Sequence, residues 1–510
     1  MYIIAHLLYN CLVNNSNIYH KGEQVNYYYD EFSPTSIELY AKKLTGFTFR
    51  NILEHEITLS ESTSLNKYGI EYFESNAAKG SLGHLIELYY FHYMLNPCSS
   101  ADFNKAGVEL KVTPYKINKN STRSAKERLV LTNIDYSKVI NETLETSHLL
   151  DKCNLILLIY YLYTKGINKL DYTINYVQLF QIPEKDLDII RSDFNKIINK
   201  IKSGDAHNLS EGDTLYLGAC TKGATANSSY TSQPFSDVQA KHRAFCFKNS
   251  YMTYVLNTYI IPKKKTYDNI QYSGDFENYI FNTINDSTGL SITELMSNYN
   301  INYMGSRPKN LESSLVFKIL GLKSNNAEEF IKAGIKVKTI RLENSQSLKE
   351  NISLPAFDFI EMSKESWDDS KINTYLSETK FLFVVFKKDS EYKKYEDITD
   401  YPNMDKHLHL YFATFWNMSN SDIENEVKVV WSKTKERLNE GIKAKKHGSR
   451  TFNNLPSSKE NRVCHIRPHG KNKDDTLPLP SGQVFTKQSF FLNASYVRDE
   501  ILALKKEQRN

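Results

Sequence analysis

At 510 residues the chain is too long for one ordinary hydrophobic core, and two domains are the expectation. Apolar residues make up 40% and charged residues 24%, which excludes a disordered chain. Lys and Arg number 64 against 59 acids, so at a net charge of +5 any nucleic-acid contact has to come from local patches, not from a globally basic surface.

The six cysteines form no C-x-x-C pair and no zinc spacing, and they read as the reduced thiols of a cytoplasmic protein. The opening MYIIAHLLYNCLVNN has no basic n-region and no small-residue cleavage site. It reads as a core strand, not a signal peptide. No apolar run reaches membrane length, so no membrane partner is expected.

In chain order, residues 1–33 are a lead-in with a Tyr-rich YYYDEF segment. Ser33-Pro34 opens a helix, Thr45-Gly46 ends it, and a second short helix follows over FTFRNIL. Leu82, Leu85, Ile86 and Tyr89 recur at helical spacing, which places LGHLIELYYFHYML in a helix with Glu87 beside its apolar face and Asn96-Pro97 as its stop. Asp102 lies in the next loop, and Gly107 reads as a turn residue. Val108–Val112 reads as a strand with Val108, Leu110 and Val112 on one face and Glu109 and Lys111 on the other. Two acids and a lysine thus converge at a strand end, with Glu87 supplied from the helix before it. Such hard oxygen ligands suit Mg²⁺ and phosphodiester hydrolysis. The same pattern also fits an edge strand with a solvated charged face.

Further on, KERLVLTNIDYSKVI reads as a strand and turn, and Asn154–Tyr163 as a buried central strand. Leu187–Ile201 has helical periodicity. Pro262-Lys263-Lys264-Lys265 reads as an exposed linker. The second half then echoes the first. Thr288-Gly289-Leu290-Ser291 repeats Thr45-Gly46-Phe47-Thr48, and EEFIKAGIKVKTI from Glu328 repeats ADFNKAGVELKVT from Ala101. The spacing between the two echoes is shorter in the second half, and the missing length is expected to include part of the Glu87 helix region. Glu329 stands at the place of Asp102, Lys336 at that of Glu109 and Lys338 at that of Lys111. A lysine at an oxygen ligand's place removes Mg²⁺ binding, so any chemistry belongs to the first copy. KERLNEGIKAKKHGSR reads as a basic helix end with a solvated face.

The first copy resembles the MutH family, which includes the mismatch-repair nickase that cuts at GATC and the Sau-type restriction endonucleases. The family's lysine-glycine matches Lys79-Gly80, its helix glutamate Glu87, its D-F Asp102-Phe103, its G-V-E-L-K Gly107–Lys111, and its lysine after S-H Lys152 in TSHLLDK. VTPYK and SAKERLVL look closest to the restriction enzymes. Lys222 falls at the lysine of the family's DNA-groove segment, where Cys220 and Thr221 replace arginine and proline. RAFCFK resembles R-G-F-Y-L-K, keeping Arg243 and Lys248 but with Cys246 where the nickase has a methyl-sensing tyrosine. In the second copy CHIRPH carries Arg467 at the family arginine and His469 at the lysine, with Lys487 available to phosphate.

The resemblance implies an α/β fold of the restriction-endonuclease type, a mixed sheet flanked by helices, present twice. Residues 34–265 form the catalytic copy and 266–510 a degenerate, DNA-binding effector copy. It also implies a type II enzyme that cuts both strands of GATC-containing duplex DNA with Mg²⁺. In that reading Asp102 and Glu109 hold the metal, Glu87 assists, Lys111 activates water and Lys152 supports the phosphate. Lys79, Lys222, Arg243, Lys248, Arg467, His469 and Lys487 contact DNA. A separate DNA methyltransferase would protect the host, and DNA-induced pairing would let one active site per chain cut two strands. A partner-controlled repair nickase and a non-catalytic GATC-binding protein are the alternatives.

Overall fold

A computed structural model describes residues 28–59, 70–75, 80–92, 100–118, 120–222, 230–261, 267–268, 270, 272, 274–324, 327–392, 401–447 and 450–507. Most of the lead-in, Lys79, the Asn96-Pro97 stop and the 262–265 linker lie outside the described residues.

The chain first folds two helices, α1 (Pro34–Lys42) and α2 (Phe49–Leu59). The Ser33 hydroxyl accepts from the Ser36 amide and Pro34 sits at the first helical position, so the start is capped as its sequence requires. Gly46 takes φ +93°, a conformation only glycine adopts freely, and its amide donates to Ile174 at 2.8 Å. Helix α3 (Ser81–Leu85) follows and passes directly into a π turn, Ile86–Tyr90, which carries Glu87.

A four-stranded sheet is built from β1 (Glu109–Ile117), β2 (Arg123–Ala125) and, after β3 (Leu129–Asn133) and α4 (His148–Cys153), from β4 (Leu155–Leu162) and β5 (Ile174–Gln181). Its order is β2-β1-β4-β5, with β1 and β4 parallel and β4 and β5 antiparallel. The nearly unbroken apolar run of β4 is central and buried on both faces. Leu157 and Ile159 face the N-terminal helices. Ile156, Leu158 and Tyr160 face α5 (Glu184–Lys202). Strand β6 (Leu217–Thr221), the hairpin β7 (Tyr230–Gln233) and β8 (Ser236–Lys241), and β9 (Arg243–Phe247) follow, then α6 (Asn249–Val255). The order β3-β9-β6 makes a second, antiparallel sheet.

The second half repeats this plan. Helices α7 (Leu311–Ile319) and α8 (Glu328–Ala333) precede β10 (Lys336–Leu342) and β11 (Ile352–Ala356). Next come β12 (Phe381–Lys388) and β13 (Leu408–Trp416), α9 (Lys428–Glu440), and a hairpin of β14 (Ala444–His447) and β15 (Arg450–Asn453). Strand β16 (Cys464–Pro468), the hairpin of β17 (Thr476–Pro478) and β18 (Val484–Thr486), β19 (Gln488–Leu492) and α10 (Ala494–Glu507) complete it. Strands β10 and β12 are parallel and β12 and β13 antiparallel, while β11-β19-β16 repeats β3-β9-β6. Gly289 takes φ +93° and donates to Leu410 at 2.8 Å, as Gly46 does to Ile174. The fold is therefore α/β, with mixed sheets flanked by helices. No helix among the described residues is long and apolar enough to cross a membrane.

Two expectations need correction. A helix, α7, does precede the Glu329 segment, so the shorter second copy did not lose this element; its Glu312 is buried against Arg307 and Arg341. The basic stretch is not one helix end either. Helix α9 stops at Glu440 because Gly441 takes φ +97°, and Lys445 and Lys446 belong to the β14–β15 hairpin.

One hydrophobic core runs through both copies, joining Phe194, Ile197 and Phe245 to Ile280, Leu315, Phe330 and Leu382. At the seam, α6 packs on α8. The Lys332 ammonium, with 2% of its side chain exposed, meets the Asp186 carboxylate at 2.5 Å and Glu328 at 2.7 Å. It also lies 4.6 Å from the Tyr254 ring centroid. A buried cation in such a place cannot be removed cheaply, because it leaves Asp186 without its counter-charge. Lys332→Ala should lower stability by about 3–5 kcal/mol, whereas Lys165→Ala, at an exposed pair with Glu361, should cost under about 1 kcal/mol. Urea titration of the full chain measures both, and equal midpoints for the two variants would refute the assignment of the seam contact.

Candidate active site

The candidate site begins with a backbone device. Phe103 and Val108 exchange two amide–carbonyl hydrogen bonds, at 2.9 and 3.2 Å, and Gly107 closes the loop at φ +66°. This loop sets Asp102 beside the start of β1. The Asp102 amide donates to Glu109 Oε2 at 3.3 Å, and the Leu110 amide donates to Asp102 Oδ2 at 2.8 Å. Strand alternation then turns Glu109 and Lys111 to the same side, where Lys111 Nζ donates to Glu109 Oε1 at 2.7 Å. Helix α4, capped by the Ser147 hydroxyl, brings Lys152 Nζ to 3.5 Å from the same oxygen. The edge-strand alternative fails here, because Glu109 is only 1% exposed and β1 is flanked by β2 and β4.

Glu87 enters from the π turn, which inserts an extra residue into the helix and is a common device at functional sites. Burial, and then the Asp102 carboxylate, push the Glu87 carboxyl up to about 7. Burial, and then Glu109, push Asp102 up to about 6. Burial alone would lower the Lys111 ammonium, but Glu109 overrides it and the net direction is up. Three carboxylates thus share two ammonium groups, and at neutral pH the cluster is short of positive charge.

Among the described residues no three acid, His or Cys side chains converge closely enough to wrap a metal on their own. Asp102 and Glu109 do offer two adjacent carboxylates. Mg²⁺ takes such a set, since it holds several waters and binds through one or two carboxylates plus substrate phosphate. The donors therefore fit a hard divalent cation, and the suppressed ionisation of Glu87 and Asp102 is the charge deficit that a cation would relieve. Lys169 escaped the sequence reading. Its ammonium donates to the Ser75 carbonyl at 2.5 Å and the Ser81 hydroxyl at 2.7 Å, tying down the start of α3 from 88 residues away. No local pattern marks a lysine that acts at such a distance.

The residues expected on DNA divide into three groups. Lys222 is exposed at the end of β6. Arg243 and Lys248 are not available for DNA, which corrects their expected role. Strand β9 is buried along its whole length, so Arg243, 4% exposed, donates to the carbonyls of Ala219 and Leu209. Lys248, 1% exposed, donates to the Thr214 carbonyl at 3.0 Å. Cys246 is buried beside Cys220 and 3.7 Å from Glu211 Oε2.

Arg467, His469 and Lys487 gather at one end of the β11-β19-β16 sheet. Arg467 is exposed, with its guanidinium 5.2 Å from the Phe491 ring centroid, and His469 meets the same ring edge-on at 5.6 Å. The His469 amide donates to the Lys487 carbonyl, and the Lys487 ammonium pairs with Asp475.

Residues 91–193 match the family described as DNA mismatch repair enzyme MutH. The chain is also 35% identical over 471 residues to the type II restriction enzyme Sau3AI of Staphylococcus aureus, an alignment covering 83% of this chain and 92% of that one.

The raised carboxyls set a pH dependence. In the cation-free protein Glu87 and Asp102 bind protons more tightly than in the unfolded chain. Their contribution to stability is therefore full below the ordinary carboxyl range and is lost as pH rises through about 6 and about 7. A divalent cation competes with those same protons. The rise in melting temperature on adding Mg²⁺ should be small at about pH 5.5 and grow towards about pH 7.5. Glu87→Gln should remove the upper part of that growth. A Mg²⁺ shift independent of pH would contradict this reading of the cluster.

Proposed function

The chain belongs to the MutH/Sau-type nuclease family, and from that premise we propose a Mg²⁺-dependent type II restriction endonuclease that cuts both strands of duplex DNA at GATC and leaves 5′-phosphates. That it is a restriction endonuclease acting on DNA follows from the family itself. Its target sequence, its metal and the roles of its residues are our reading. The observation that carries it is the Asp102–Glu109–Lys111 cluster, whose carboxylates are locked side by side by the Leu110 and Asp102 amides.

In this reading Asp102 and Glu109 hold the cation. When bound, Mg²⁺ would supply positive charge against the scissile phosphate and lower the pKa of a water. Lys111, beside Glu109, orients the attacking water, whose oxygen bonds to phosphorus as the P–O3′ bond breaks. Lys152 adds fixed positive charge from α4. Glu87 holds a proton near neutrality and gives it up when positive charge enters the cluster. Residues 34–265 form the catalytic copy. Residues 266–510 are the effector copy, which reads a second GATC duplex through Arg467, a side chain able to bond guanine in two places. Lys222, His469 and Lys487 contact backbone. A separate methyltransferase protects the host, and transient pairing of two chains on DNA accounts for cutting both strands.

Plasmid digestion tests this directly. Cutting should require Mg²⁺ or Mn²⁺ and stop in Ca²⁺. Asp102→Ala, Glu109→Ala and Lys111→Ala should each lower the rate at least about 10³-fold, while leaving duplex binding measurable because phosphate and base contacts supply the affinity. Near-normal cutting by any one of them would remove that residue from the mechanism. Adenine methylation within GATC should leave the rate unchanged, because Cys246, at the place of the family's sensing tyrosine, is buried against Glu211. Strong protection of plasmid from a methylating host would reverse that conclusion.

A further inference from the structure

The two copies carry opposite charge at the same point of the same sheet. Lys336 pairs with Phe381 across parallel strands as Glu109 pairs with Ile156, and Gly334 turns into β10 at the same φ of +66° as Gly107 turns into β1. Lys336 and Lys338 therefore occupy the places of Glu109 and Lys111, on one side of β10. Lys336 is exposed, and Lys338 is half-buried with its ammonium 3.3 Å from the Ser353 carbonyl. Among the described residues neither has an ion-pair partner. Glu329, the counterpart of Asp102, is held 7% exposed in α8 with the Ile270 backbone against its carboxylate, and it forms no ion pair with Lys336 or Lys338 among the described residues.

Two ammonium groups side by side without a carboxylate are unfavourable unless an anion joins them. Burial and the neighbouring Lys336 press the half-buried Lys338 towards the neutral form. In the first copy a cation would offset the three carboxylates that face the scissile phosphate, while phosphate and base contacts elsewhere carry the duplex affinity. The second copy has already placed fixed positive charge there.

We propose that Lys336 and Lys338 form a metal-independent clamp for a backbone phosphate of a second DNA duplex, at the place where the first copy recruits its cation. The inference rests on the reading of residues 266–510 as a DNA-binding copy. It adds a site and a ligand: a phosphodiester oxyanion, bound without hydrolysis because no carboxylate there holds a metal or positions water.

The test uses the full chain, a short fluorescein-labelled GATC duplex and EDTA, so that nothing is cut. The wild type should take up two duplexes per chain without divalent metal. Lys336→Gln with Lys338→Gln keeps most of the stem length and removes both charges. It should weaken the second binding event about tenfold or more and flatten its log K–log salt slope by about 0.9, the value for one phosphate no longer neutralised. Lys336→Arg with Lys338→Arg should restore both. Should the double Gln variant not fold, Lys336→Gln alone, at an exposed position, should weaken the second event and flatten the slope by about half as much. Two duplexes bound with an unchanged slope in the Gln variants would overturn the clamp and leave the effector reading intact. A single duplex on the wild type would overturn both.

Discussion

Glu109 is the residue on which the carboxylate–lysine cluster depends. It is a carboxylate almost without solvent, and it is tolerable there only because Lys111 and Lys152 both reach its Oε1. Each partner comes from a different level of the fold. Lys111 follows from strand alternation, Lys152 from the capped helix ahead of β4, and Asp102 from the Gly107 loop that turns the chain back onto β1. Removing Lys111 or Lys152 leaves the buried Glu109 with one cation in place of two. The geometry of the site and the stability of the sheet's central pair are thus one problem with one solution.

The duplication separates what the fold needs from what the chemistry needs. Both copies keep the left-handed glycine turns, the parallel–antiparallel pairing of their three central strands and the second antiparallel sheet. They differ in the side chains at the strand ends. At the end of β16, Arg467 lies over Phe491; at the matching end of β6, Cys220 lies beside Cys246. Arg467 is exposed, while Cys220 and Cys246 are buried, with Glu211 beside Cys246. The carboxylate–lysine cluster and an exposed arginine platform therefore sit in different copies of one scaffold.

Much of this was legible in the sequence because the relevant rules are local. Period-two alternation brings Glu109 and Lys111 together, Thr-Gly breaks mark both helix ends, and the length and branched residues of β4's apolar run point to a buried central strand. The repeat itself was visible from KAG followed by alternating residues. What was not legible depends on long-range packing. Arg243 and Lys248 look like surface cations, and nothing nearby in sequence reports that β9 is covered on both faces. The π turn at Glu87 is invisible to a 3.6-residue period. The seam between the copies could not be read either, since Lys332 and Asp186 are 146 residues apart and each alone resembles a solvated charge.

The continuous core has an evolutionary consequence. Gene duplication normally yields modules that recombination can reassort, because each carries its own interior. Here Phe330 and Leu382 of one copy complete the interior begun by Phe194 and Phe245 of the other. A crossover at the boundary would join halves whose apolar surfaces and seam charges were never selected together. Substitutions in the second half are thus constrained by the interior it shares with the first, and not by any ligand alone.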